Sequence, residues 1–296
     1  MHKPKSSHLG GICLLILAAV IWGVSFVAQS AGIEKVQPFT FNGIRLLLGG
    51  IVLLPFALLR QKRFPGGKRL WLGGISCGVF LFTGTSLQTY GLLTTSAGKS
   101  GFITALYIIL VPMFGLFLRR KVSLRVWIAA GIALTGMALL CLRMDFSIAA
   151  GDVLLLLGAV AFALHIWVIE LFAAGLDGVA LSCIQFFTAG ILSVICMTIW
   201  DTPRLSDILS VWLPIAYAGI LSCGVAHTFQ ILGQQRVDPA LASLILSAEA
   251  VFASLAGWAL LGEALTLREL VGCGLVFFAI LIAQWPEKRL DNTFLR

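Results

Sequence analysis

Charge is what this chain has least of. Charged residues make up 11% of its 296 residues, less than half the roughly 25% of an ordinary globular domain. That excludes a water-soluble globular protein, since apolar residues reach 59%. Long polar stretches are missing too. The longest basic loop, residues 61–69, is a breaker cluster built on Pro65-Gly66-Gly67. No loop can hold a soluble domain, so an attached ATPase is not expected; a primary pump would need a separate motor subunit. The seven cysteines (Cys13, Cys77, Cys141, Cys183, Cys196, Cys223, Cys273) all fall in apolar runs without a CxxC, which reads as packing rather than disulfides or metal ligands. There is no HExxH for zinc and no carboxylate pair at helical spacing. No metal, cofactor or enzymatic activity is therefore expected.

What is present is a series of ten apolar runs: 10–29, 39–59, 70–92, 98–118, 124–142, 151–173, 179–199, 210–233, 240–261 and 269–285. Each approaches the roughly 20 residues a spanning helix needs. They lack the alternation of a barrel strand, and a helix pairs every backbone polar group within its own segment. The expected fold is an all-α integral membrane protein of ten transmembrane helices. The first run, with Lys3 and Lys5 before it, imitates a signal peptide, but its near-spanning length favours a helix. With both termini in the cytoplasm, fifteen Lys and Arg fall on inside segments and five (Lys35, Lys99, Arg143, Arg204, Arg268) on outside ones, as the positive-inside rule requires. The net charge of +8 is thus topological, and nucleic acid is not an expected partner.

The chain also repeats itself. Ala19-Val20 and Gly50-Ile51 match Ala159-Val160 and Gly190-Ile191 at 140 residues' distance, Trp71-Leu72 matches Trp212-Leu213 at 141, Gln88 and Gly91 match Gln230 and Gly233 at 142, and Arg125 and Gly131 match Arg268 and Gly274 at 143. Two five-helix units follow, 10–142 and 151–285. An odd helix count inverts the second in the membrane, a build typical of secondary transporters. The offset is expected to grow through small length changes between segments.

Two motifs tempt. Residues 93–100, ending Gly98-Lys99-Ser100, resemble a P-loop without its first glycine, but a true one joins a strand to a helix; the plain reading is a turn with Lys99 snorkelling to the interface. Gly84-Thr85-Ser86 with His227 suggests an intramembrane hydrolase, but the GxSG is incomplete and the base must reach the serine. Gly74-xxx-Gly78 marks close helix packing, internal or between monomers, so monomer and homodimer both stay open.

Polar residues in apolar runs carry the functional information, because they are expensive in hydrocarbon. Thr85, Gln88 and Thr89 share a face of the third helix; Cys223, His227, Gln230 and Gln234 share one on the eighth, with Thr85 matching His227 and Gln88 matching Gln230. Such stripes either line a central cavity or bond neighbouring helices. Trp22, Ser25 and Gln29 share a face of the first helix, and Phe162 and His165 match Trp22 and Ser25 on the sixth. The candidate substrate-binding residues are Trp22, Ser25, Gln29, Gln88, Phe162, His165, His227 and Gln230. Glu249, matched by Tyr107, is the candidate for proton coupling or ion binding, with a structural role as the alternative. Arg45, matched by Gln185, can grip a carboxylate or phosphate bidentately or serve structure. Pro112 is a candidate hinge.

Several stretches together resemble the EamA type of the drug/metabolite transporter superfamily. They are Ala19-Val20-Ile21-Trp22-Gly23-Val24-Ser25-Phe26, Arg45, the run from Thr95 to Ile103, Val111-Pro112, Glu249-Ala250-Val251-Phe252-Ala253, Leu261-Gly262-Glu263-Ala264-Leu265-Thr266 and Gly272. Glu249-Ala250 departs from the family's common Glu-Pro, which withdraws the proline argument for a kink there, and Lys121 stands where the second copy has Glu263. The resemblance covers nearly the whole chain. It implies a ten-helix carrier of the bacterial inner membrane, with a cavity between two tandem EamA domains, exporting amino acids or other small metabolites. The expected partners are membrane lipid and a small solute, with proton coupling as an option. A non-transporting receptor or scaffold and, more remotely, the intramembrane hydrolase are the alternatives.

Overall fold

The structure is a computed structural model. It describes residues 5–61, 67–95, 97–141, 150–261 and 265–284. Lys3, Lys62, Arg63, Pro65, Gly66, Ser96, Arg143, Gly262, Glu263, Ala264, Lys288, Arg289 and Arg296 lie outside the described residues. Among those described the chain is helical, without a strand, and ten helices are long and apolar enough to cross a membrane. They are α1 (His8–Ile33), α2 (Pro38–Arg60), α3 (Gly67–Gly91), α4 (Lys99–Phe117), α5 (Leu124–Cys141), α6 (Ala150–Ala173), α7 (Gly178–Trp200), α8 (Trp212–Gln234), α9 (Pro239–Leu260) and α10 (Leu267–Gln284). A short helix, Leu205–Ser210, precedes α8.

The outer surface shows why the charge is so low. Leu59, Phe117 and Leu281 are 79%, 80% and 64% exposed, intolerable in water and natural against acyl chains. Trp71, Trp200, Trp212 and Trp258 are exposed near helix ends, where their amphipathic rings suit the headgroup level.

Helix pairing respects the repeat. The helices α2 and α7 pack on each other, as do α5 and α10. Helix α1 lies against α8 and α9, and α6 lies correspondingly against α3 and α4. Exchanging the copies maps each of these contacts onto itself or onto another. Glycine makes close approaches among these possible: a Cβ on Gly233 would stand 3.0 Å from the carbonyl oxygen of Gly11 in α1, and one on Gly91 would stand 3.0 Å from that of Gly151 in α6. Gly74 and Gly78 face Ile184 and Thr188 of α7, so this pair serves packing inside the bundle.

Three helices depart from plain α geometry. In α4 the helix stops at Thr104 and restarts at Tyr107; in α9 it stops at Leu246 and restarts at Glu249. The breaks are repeat partners, and neither is made by proline: Pro112 lies within Tyr107–Phe117, beyond the break. The interruption in α4 falls at Ala105-Leu106, and α9 is broken although Glu249 is followed by alanine. In α8, Tyr217–His227 is wound as a π-helix, while α3 is α-helical throughout. The rise in repeat offset from 141 to 142 falls between Trp71 and Gln88 of α3 and between Trp212 and Gln230 of α8. It is therefore one residue inserted within a helix, taken up by the wider i→i−5 turns, and not a length change between segments.

The end of the α2–α7 pair is held by crossed polar contacts. Position 37 precedes α2 as position 177 precedes α7, but Asp177 caps its own helix, accepting from the amides of Val179 and Ala180, whereas Gln37 does not. Instead Asp201, beyond α7, accepts from Thr40 N at 2.7 Å and Thr40 Oγ1 at 2.8 Å, and Gln37 Oε1 accepts from Thr202 N at 2.6 Å. The Lys99 ammonium pairs with Asp152 of α6, which also accepts from Thr95 Oγ1.

Candidate functional site

Between the two copies lies a cavity, and clefts between the helices of a bundle are where small-molecule sites commonly form. Nine lining residues come from each copy. The first gives Trp22, Phe26 and Gln29 from α1, Arg45 and Leu46 from α2, Thr85 and Gln88 from α3, and Thr104 and Tyr107 from α4. The second gives Phe162, His165 and Ile166 from α6, Ser222, Cys223, His227 and Gln230 from α8, and Leu246 and Glu249 from α9. Twelve of the eighteen form six repeat pairs: Trp22 with Phe162, Phe26 with Ile166, Thr85 with His227, Gln88 with Gln230, Thr104 with Leu246 and Tyr107 with Glu249.

The broken helices meet at the cavity. Tyr107 and Glu249 open the second halves of α4 and α9, and the Tyr107 hydroxyl donates to Glu249 Oε1 at 3.3 Å. A carboxyl in the first turn of a helix sits at the positive end of its dipole. The one bond thus joins both interruptions across the copies. Thr104, which ends the first half of α4, lies 3.5 Å from the Gln88 amide nitrogen.

Arg45 is 3% exposed, its guanidinium 5.2 Å from the centre of the Phe41 ring one turn back in α2. Among the described residues no carboxylate pairs with it, and its Nε has no hydrogen-bond partner. A buried cation without a counter-charge is costly, so the observation calls for an anionic occupant. Gln230, 3% exposed, likewise leaves Oε1 without a partner.

The histidines are held differently. His165 Nε2 lies 3.0 Å from Gln185 Oε1. Gln185 is fully buried and fixes His165 from outside the lining. His227 Nδ1 lies 2.9 Å from the carbonyl oxygen of Ser222, which also accepts from Trp22 Nε1 at 3.3 Å. The His227 ring is wedged edge-on between Trp22 and Phe186, at centroid distances of 4.6 and 5.3 Å.

Of the residues singled out in the sequence, Trp22, Gln29, Arg45, Gln88, Tyr107, Phe162, His165, His227, Gln230 and Glu249 come together on this cavity. Ser25 does not line it; it is fully buried, with Oγ unpartnered. Gln185 stands behind His165, Pro112 is buried in α4, and Gln234, at the end of the polar stripe, donates to Ile166 O at 3.3 Å. Phe26, Leu46, Ile166, Thr104, Leu246 and Ser222 join unannounced. Phe26 and Ile166 lie one turn beyond Trp22 and Phe162, so the shared helix face was the available signal. Ser86 Oγ has no hydrogen-bond partner, so the pairing with His227 that hydrolysis requires is not made.

Comparison with known proteins agrees with this architecture. The model of the EamA-like transporter family matches residues 9–142 and again 149–284. A relative from Archaeoglobus fulgidus, described as an uncharacterized transporter, is 30% identical over 276 residues, covering 91% of this chain and 84% of its own. The Escherichia coli protein described as uncharacterized inner membrane transporter YedA is 25% identical over 272 residues, covering 89% and 87%. A crystal structure titled only as that of a protein superposes with a TM-score of 0.79 at 21% identity, covering 95% of this chain and 97% of that one.

Proposed function

Because this chain belongs to the EamA-like transporter family, we propose that it is a secondary carrier moving a small amphipathic metabolite, amino-acid-like in its charges, across the bacterial inner membrane by alternating access. The observation that carries this is the cavity lined equally by both copies, with an unpaired Arg45 and an apolar and aromatic wall. Arg45 is suited to a carboxylate, Trp22, Phe162 and Ile166 to an apolar side chain, and the amides of Gln88 and Gln230 to the remaining polar groups. A cavity at the seam of two inverted copies is reachable from either side when they rock against each other. The relative YedA bears an inner-membrane description, which supports that location; the positive-inside count supports cytoplasmic termini.

Net movement is outward on this reading, with Glu249 exchanging a proton for each solute. Its bond to Tyr107 joins the helix breaks of the two copies, so a change in Glu249's protonation acts where the halves meet. A receptor or scaffold would bind the same solutes without flux. The test is reconstitution in liposomes with a panel of amino acids and small carboxylates, measured by counterflow and under imposed pH gradients. Saturable counterflow is expected; saturable binding without movement of any solute or proton under any gradient would refute the carrier.

A further inference from the structure

The residue inserted into α8 changes what that helix shows the cavity. In the α-helical α3 the partner of His227 is Thr85, whose hydroxyl is spent on the carbonyl of Leu81 at 2.7 Å. In the π-helical stretch of α8, His227 instead reaches back five residues to the Ser222 carbonyl. A carbonyl oxygen only accepts, so Nδ1 must carry the hydrogen. In a neutral imidazole the other nitrogen is then an acceptor. Nε2 finds no protein partner among the described residues, and His227 lines the cavity. A second, independent observation lies one turn on: the Oε1 acceptor of Gln230 is buried and unpartnered. π-Helical turns recur at functional sites, and here the turn is what separates the copies chemically.

We infer that the extra residue wound into α8 builds an acceptor subsite at His227, extended by Gln230, that selects solutes bearing an N–H or O–H donor beside their carboxylate. The inference rests on the proposed carrier reading and deepens it. Arg45 holds the anion; the subsite reads the group next to it. A solute with the anion alone leaves buried acceptors unpaired, and such a mismatch costs about tenfold or more in affinity.

The test compares three probes of one shape on the purified full chain in detergent: L-leucine, L-2-hydroxy-4-methylpentanoate and 4-methylpentanoate. The last two share charge and chain and differ by one hydroxyl. Wild type is expected to bind the two donor-bearing probes at least tenfold more tightly than 4-methylpentanoate, read by ligand-dependent thermal shift. His227→Asn keeps a polar atom near the Nδ1 position but cannot reach the place of Nε2; it is expected to close the gap. His227→Gln, which can reach it, is expected to restore much of the gap. His227→Leu serves as the removal variant where His227→Asn is not monodisperse. No gap in wild type, or a gap that survives the removal variant, overturns the subsite and leaves the carrier standing. Failure of all three carboxylates to bind wild type overturns the anion-holding cavity and the subsite with it.

Discussion

Asp201 offers the sharpest physical test of the fold. It is 8% exposed and accepts two hydrogen bonds, at 2.7 and 2.8 Å, from the amide and hydroxyl of Thr40. Thr40 is in the first turn of α2, where amides have no partner within the helix, and the side-chain oxygen of Gln37, just before α2, is turned to Thr202. Asp201→Ala removes a charge-assisted acceptor, an interaction of about 1.5–3 kcal/mol, and leaves a helix-end amide unpaired. Both bonds share one oxygen and do not add fully, so the expected loss is about 2–3 kcal/mol. At roughly 2 °C per kcal/mol for a chain of this size, the apparent Tm in detergent should fall by about 4–6 °C. Asp201→Asn keeps an oxygen and should lose less than half of that. Thr40→Val removes only the hydroxyl, about 1 kcal/mol, and combined with Asp201→Ala should add little, since the partner is already gone. Tryptophan-fluorescence melts of wild type and the four variants measure all of this. A shift under 1 °C for Asp201→Ala, or full additivity with Thr40→Val, would refute the trans-cap.

Three further outcomes follow from the cavity and the packing. Arg45→Leu should abolish carboxylate binding yet raise the ligand-free apparent Tm, because a buried cation without a counter-charge is replaced by an apolar side chain; a lowered Tm would mean the guanidinium has a structural role instead. Glu249→Gln should lose solute flux driven by a pH gradient in proteoliposomes while keeping solute counterflow, and full retention of the driven flux would remove Glu249 from coupling. Gly272→Val should cut the folded yield and cost about 1–3 kcal/mol, since a Cβ there stands 3.0 Å from Leu140 N across the α5–α10 contact; unchanged monodispersity and melting would contradict that packing.

Helix number and the polar faces could be read from the chain because both rest on simple costs. Hydrocarbon demands about 20 apolar residues per crossing, and a polar side chain such as Gln88 or Gln230 within one must face something other than lipid. The breaks in α4 and α9 were not legible. Ala105-Leu106 and Ser247-Ala248 contain no helix breaker. The π-helix left a trace, the one-residue step in repeat offset between Trp71 and Gln88, but a step in register does not tell a loop insertion from a helical one. Contacts between distant residues were out of reach altogether. Nothing in the chain says that Asp201 caps α2, or that Gln185 holds His165 while Arg45 stands bare.

Those last two facts bear on direction. If the copies matched in side chains as they do in helix pairing, a solute would meet the same chemistry from each. They do not. At the positions of Arg45 and Gln185 the first copy presents a cation to the cavity and the second sends an amide behind it. At the positions of Ser25 and His165 the roles reverse, with the serine buried away and the histidine lining. Among the described residues the single lining cation thus belongs to the first copy, while the second supplies Glu249 and, at His227 and Gln230, acceptors without a protein partner. On the proposed reading a solute with a carboxylate and an adjacent donor bridges the two, anion on α2 and donor on α8. It pulls both halves together, which a solute engaging one half alone cannot do. Binding energy that depends on both copies is what a rocking carrier needs, because only a ligand with different contacts in two states can shift the balance between them.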